Sequence, residues 1–235
     1  MALPGGELSN RPLHFFWIVD CSGSMSGEKI ESLNNAIKEA LPAMRAEADK
    51  NPNAQVYVRT IKFSNGAEWI DPQPEKLEDF RWFDLSADGV TDMGRALSMV
   101  ADELKGPLMK QRALPPVLVL ISDGQPTDDF NGGLNKLVNT PWGGKAVRIA
   151  IAVGTDADKD VLQKFIGRHA SEFKVLEANN PQALVKYIKW VSTAVLSAAS
   201  QPLLKGSEEG EKKSGGSIPI PVPPKPDDDT VGTVW

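Results

Sequence analysis

The chain has 235 residues, 26 of them basic and 31 acidic, for a formal net charge of −5; 41% are hydrophobic and 24% charged. That composition is ordinary for a globular protein and excludes a collagen, a disulfide scaffold and a wholly disordered chain. The acidic balance, with no long Lys/Arg cluster, argues against nucleic acid or anionic lipid as the main partner and favours a cationic or metal-bridged one.

Cys21 is the only cysteine, so there is no intrachain disulfide and no cysteine-based zinc site. The opening Met-Ala-Leu-Pro-Gly-Gly-Glu lacks the basic region of a signal peptide, and the first apolar run, 13–19, stops at Asp20. No run approaches the roughly 18 apolar residues of a membrane span. The expectation is a cytoplasmic protein without a membrane segment.

Residues 13–19 form a continuous apolar run, the pattern of a strand buried on both faces. Over 27–48, Ile30, Leu33, Ile37, Leu41 and Met44 recur at helical spacing, with Pro42 expected to kink the helix or end its regular part early. Residues 55–63 read as a strand, Asn65-Gly66 as a two-residue turn and 67–70 as the antiparallel return at one sheet edge. An irregular aromatic stretch and the loop 87–91 precede a helical stripe of Leu97, Val100, Ala101 and Leu104. Strands follow at 117–121 and 147–153, helices at 130–138 and 158–169, a short strand near 173–176 and a long helix opened by Pro181. The alternation predicts an α/β fold: a doubly wound, mostly parallel central sheet with one antiparallel edge hairpin and helices on both faces. The division expected is an extension at 1–10, a domain at 11–205 and a tail at 206–235. The tail holds five Pro, five Gly, six acidic and three basic residues. It lacks the apolar area to order itself alone, and its 218–226 stretch favours polyproline II geometry.

The segment Asp20-Cys21-Ser22-Gly23-Ser24 falls where the first buried strand ends, and ligands bind at that edge of open parallel sheets. Two further oxygen-bearing turns, around Thr91 and at Ser122-Asp123-Gly124, should meet it there. Every side-chain donor on offer is a hydroxyl or carboxylate, which suits a hard cation: Mg²⁺ first, with Mn²⁺ accepting the same oxygens. If hydroxyls touch the ion directly, its charge stays under-neutralised and draws an acidic group from another molecule. The bland alternative is that Ser22, Ser24 and Asp123 merely cap helices and turns.

These residues resemble the metal-ion-dependent adhesion site of the von Willebrand factor type A domain, over about residues 11–200. The resemblance implies that Ser22, Ser24 and Thr91 ligate Mg²⁺ through hydroxyls while Asp20 and Asp123 hold coordinated waters. It implies a Rossmann-like fold, a protein partner that donates an Asp or Glu to the ion, and no catalysis. More narrowly, residues 15–25 and 120–129 are similar to the TerY-like bacterial branch associated with tellurite resistance. That likeness implies a cytoplasmic signalling or stress-response adaptor linked with a protein kinase and a metal-dependent protein phosphatase.

Other residues carry weaker signals. Cys21 reads as a small core residue, with a redox switch as the alternative. His14 and His169 are too few and too far apart for zinc or for a catalytic pair. Asp92, Asp128 and Asp129 either tune the site or start helices. A serine hydrolase lacks a histidine in a matching loop, and no phosphate-binding glycine motif is present. In the tail, Ile218, Ile220, Val222 and Trp235 are candidate partner contacts, making a tail-based interaction scaffold the alternative function and a metal-dependent hydrolase a more distant one.

Overall fold

The computed structural model describes residues 10–51, 54–106, 109, 113–172, 174–200 and 219–225. Strand β1 (Arg11–Asp20) is buried from Leu13 to its end. Strands β5 (Val117–Ser122) and β6 (Val147–Val153) are buried at every position, as their unbroken apolar sequences require. With β2 (Ala54–Ser64), β3 (Gly66–Trp69), β4 (Glu75–Lys76) and β7 (Leu176–Ala178) they form one sheet in the order β3-β2-β1-β5-β6-β7, β4 pairing with β2. All neighbours are parallel except β3 and β4, which run antiparallel to β2 at the edge.

Right-handed crossovers dictate where the helices go. The chain moves from β1 to β2 in one direction and from β5 to β6 in the other. Helix α1 (Glu28–Ala48) therefore lies on one face, packed against α5 (Pro181–Trp190). Helices α2 (Met93–Glu103), α3 (Phe130–Val138) and α4 (Lys159–Ile166) cover the other face, with α2 against α3 and α4 on β6. The loops leaving β1 and β5 diverge to opposite faces and open a crevice at the carboxyl edge between them.

Several local expectations need adjusting. Pro42 does not end α1, which continues to Ala48. The proline is exposed, and burial of Leu41 and Met44 on either side of it outweighs the local cost of about 3 kcal/mol. In the hairpin Ser64 pairs with Gly66, so Asn65 alone makes the turn and Gly66 takes φ 84°. Helix α4 ends at Ile166 and continues as a 3-10 turn through Ser171, and the short strand lies at Leu176–Ala178. The last helix carries a π turn at Val191–Val195 before α6 (Leu196–Ser200). That extra residue keeps Trp190, Val191, Val195 and Leu196 all buried.

Two glycines set the α2/α3 crossing. A Cβ on Gly94 would sit 2.3 Å from the Asp129 carbonyl oxygen, and one on Gly133 would sit 2.2 Å from that of Gly94. Only bare backbone permits this approach, which delivers the loop before α3 to the start of α2.

Of the candidate tail contacts, Ile218 and Trp235 lie outside the described residues. Ile220 packs against the core, whereas Val222 is 88% exposed.

Candidate functional site

Strand register builds the centre of the crevice. Val19 pairs with Ile121, so Asp20 and Ser122 end side by side. The Ser122 hydroxyl donates to Asp20 Oδ2 at 2.5 Å and accepts from the Gly124 amide at 2.7 Å. Asp20 Oδ1 accepts the Ser22 amide at 2.8 Å, which bends the chain back over the strand end. The bend leaves the Ser22 and Ser24 hydroxyls 3.0 Å apart, Ser22 buried and Ser24 exposed.

Backbone bonds stitch the other loops to this one. The Gly23 amide donates to the Gly89 carbonyl at 3.0 Å, and the Asp88 amide to the Cys21 carbonyl at 2.8 Å. Gly89 has φ 84°, and Asn65 fills the space where a side chain would stand. Thr91 and Thr127 exchange two bonds: the Thr91 amide donates to Thr127 Oγ1 at 3.0 Å and the Thr127 amide to the Thr91 carbonyl at 2.9 Å. The five residues singled out from sequence, Asp20, Ser22, Ser24, Thr91 and Asp123, thus lie within one hydrogen-bonded set of loops.

The electrostatics of that set are unbalanced. Asp123 is 3% exposed, and its Oδ2 has no hydrogen-bond partner. The nearest cation, Lys29 Nζ, stands 3.8 Å away and is shared with Asp156 at 3.4 Å. Burial lifts the Asp20 carboxyl to about 6, against the opposing pull of its bonds from Ser122 and Ser22, and nearby Asp123 adds to the rise. Two buried carboxyls, one with an oxygen that accepts no hydrogen bond, share one distant cation that Asp156 also draws on. A hard divalent cation supplies further positive charge, and the surrounding donors are all oxygens, so the residues fit such an ion.

The remaining acidic residues have backbone tasks. Asp128 caps α2 by accepting from the Gly94 and Arg95 amides at 2.8 and 2.7 Å, and Asp129 caps α3 through Gly132 at 2.9 Å. Asp92 accepts from the Gly66 amide at 2.7 Å. Cys21 is buried, and burial pushes its thiol up to about 12, with Asp20 contributing, so it is held as an unreactive thiol. His14 and His169 are both buried away from the crevice, His14 stacked on Tyr57.

Sequence reasoning placed Ser122 in a converging turn without giving it a role, and missed the parts of Lys29, Thr127, Asn65 and the glycine pair. Lys29 alone left a signal: a cation in the first turn of a helix opposes the macrodipole and calls for another partner.

The sequence profile of the von Willebrand factor type A domain matches residues 16–189. The chain belongs to that family. Von Willebrand factor A domains are generally interaction modules rather than enzymes, and they hold a divalent metal at their adhesion site. Solved structures share the fold at low identity. A von Willebrand factor type A protein from Catenulispora acidiphila is 17% identical with a TM-score of 0.57, over 81% of this chain and 43% of that one. Proximal thread matrix protein 1 from the mussel byssus, with a zinc-occupied adhesion site, is 17% identical with a TM-score of 0.55, over 80% and 46%. The PilB minor pilin of Streptococcus sanguinis is 16% identical with a TM-score of 0.58, over 88% and 65%. The chain spans less than half the length of the first two. No curated protein matches it by sequence. Among the described residues no helix is long and apolar enough to cross a membrane.

Proposed function

We propose that this von Willebrand factor A domain is a Mg²⁺-dependent protein-binding module whose partner donates an Asp or Glu carboxylate to the ion. Ser22, Ser24 and Thr91 would hold the ion through their hydroxyls, and Asp20 and Asp123 would hold its waters. The observation that carries this reading is the buried Asp123 Oδ2, which accepts no hydrogen bond and has only Lys29 Nζ at 3.8 Å, beside the buried Asp20 carboxyl. Bound there, the ion supplies a positive centre that neutral hydroxyls leave under-compensated, so an incoming carboxylate completes both charge and coordination. Mn²⁺ accepts the same donors. The all-oxygen set favours these harder ions over zinc.

The finer assignment rests on the likeness of residues 15–25 and 120–129 to the TerY-like branch. It makes the chain a cytoplasmic bacterial stress-response adaptor working with a protein kinase and a metal-dependent phosphatase. Calorimetry with MgCl₂ tests the site: wild type binds one ion and Asp20→Ala none, with circular dichroism unchanged. Capture of partners from bacterial lysate should disappear both with EDTA and in Asp20→Ala. Equal capture under all conditions would refute the metal-bridged mode and transfer binding to the tail.

A further inference from the structure

The first turn of α1 brings a cation to the candidate metal loops. Lys29 extends from that turn until its Nζ stands 3.4 Å from Asp156 Oδ1 and 3.8 Å from Asp123 Oδ2, with its side chain 12% exposed. The two carboxylates differ. Asp123 is buried and fixed, its side chain 5% exposed and its backbone carbonyl accepting the Asp158 amide at 2.8 Å. Asp156 lies two residues before Asp158, but its side chain is 66% exposed and has water on most sides. Gly154 leaves the room in which lysine and Asp156 meet: a Cβ there would stand 2.8 Å from Asp156 Oδ1 and 3.0 Å from Lys29 Nζ.

Helix packing gives no reason for this lysine. The macrodipole disfavours a cation in the first turn, and a partly buried ammonium forfeits hydration. What holds it is the pair of carboxylates. Among the described residues Lys29 is the only cation paired with Asp123, so in the metal-free protein it alone keeps that aspartate from being an unpaired buried charge. A divalent ion beside Asp123 changes the balance. Two cations drawn to one carboxylate repel each other, and the repulsion falls as the ammonium withdraws. Asp156 receives it without leaving it unpaired. Being exposed, Asp156 also returns to water at little cost when the ammonium leaves.

We propose that Lys29 is the resident counter-ion of Asp123 and passes to Asp156 when the metal binds, so that Asp156 sets how readily the site accepts an ion. This rests on the metal-site reading above and adds its regulation. Lys29 and Asp156 are positioning residues: the lysine stands in for part of the ion's charge, which lets the domain keep its fold at low metal, and the ion must compete with a tethered ammonium.

The test uses the full chain. Mg²⁺ affinity is measured by calorimetry for wild type, Lys29→Met, Asp156→Asn and the double variant, and Tm is measured in EDTA and in saturating MgCl₂. Binding should be about tenfold tighter in Lys29→Met and about fivefold weaker in Asp156→Asn, with the double variant as tight as Lys29→Met, because without the ammonium Asp156 has nothing to receive. Lys29→Met should also lose several degrees of Tm in EDTA and recover them in MgCl₂. In wild type the carboxyl carbon resonance of Asp156, assigned by its disappearance in Asp156→Asn, should shift on adding MgCl₂ and hold still in Lys29→Met. Weakening by Asp156→Asn that is equal with and without Lys29 would reduce the effect to general charge attraction and overturn the proposal, leaving the metal site standing. Unchanged Mg²⁺ affinity in Lys29→Met, with the same loss of Tm in both buffers, would make Lys29 a brace between α1 and the loop after β6 and overturn it too. Mg²⁺ binding that persists in Asp20→Ala would sink the site and the proposal together.

Discussion

The sheet has charge buried at both of its edges, and the two edges treat it differently. At the amino edge Arg148 is 4% exposed, yet its guanidinium donates to the Phe165 carbonyl at 2.7 Å and the Gly143 carbonyl at 3.0 Å. Gly167, with φ 62°, leaves the space that Arg148 fills. Burial pushes this guanidinium down to about 10, with Arg168 adding to the fall, but Nε and Nη1 both reach backbone acceptors. At the carboxyl edge Asp123 keeps a buried oxygen without a donor. A buried charge answered by backbone braces a fold, whereas one left unanswered marks a place for a ligand.

The largest effects should come from the frame that both edges share. Gly133→Ala drives a Cβ into the Gly94 backbone, which cannot swing aside as a side chain could. A cost of about 3 kcal/mol is expected in urea denaturation, together with loss of Mg²⁺ binding as the Thr91–Thr127 link opens. Arg148→Met follows: two buried carbonyls lose their donors, for about 2 to 4 kcal/mol, or roughly 5 to 15 °C in Tm, with and without metal alike.

Asp123→Asn sharpens the contrast because its expected sign depends on the ion. In EDTA the substitution removes a buried charge whose only counter-ion, Lys29 at 3.8 Å, keeps Asp156 as a partner, and Tm should hold or rise by a few degrees. In MgCl₂ at a hundred times Kd the wild type gains about 2.7 kcal/mol from binding, and the variant should gain almost none. A variant less stable than wild type by the same margin in both buffers would make Asp123 a brace like Arg148 and end the comparison.

How much of this was legible beforehand follows from what each feature depends on. The strands β1, β5 and β6 are buried on both faces, so their apolar runs announced them. Asp20, Ser22 and Ser24 were visible because a polar cluster at the end of such a run has no packing reason to be there. Thr127 and Asn65 act across loops distant in sequence, so nothing local reveals their part in the site, and Lys29 shows only its misfit with the helix macrodipole. Gly94 and Gly133 carry no local signal of their role, since their value lies in a crossing only the tertiary fold creates. Pro42 misled for the converse reason: its local cost was readable, but the burial that outweighs it was not. Strand β4, two exposed residues held by their pairing with Tyr57 and Val58, has no periodicity to read.

The smallest effect expected is the pH response of the amino edge. His169 is fully buried and accepts from Arg168 Nε at 3.2 Å, with Glu172 at 3.4 Å on its other nitrogen and Arg148 also nearby. Burial holds its pKa below 6.5; Arg168 and Arg148 reinforce this, and Glu172 opposes it. The unfolded chain therefore takes up a proton at a pH where the folded one does not. Stability is complete above about pH 6.5 and declines as pH falls from there towards the lowered folded value. Chemical denaturation in EDTA from pH 7.5 to 5.5 should show wild type losing more stability than His169→Gln; Asp20, lifted to about 6, adds an opposite slope common to both, so the difference between the two profiles isolates the imidazole. Parallel profiles would mean that Glu172 offsets the burial, making the imidazole as well compensated as the guanidinium beside it.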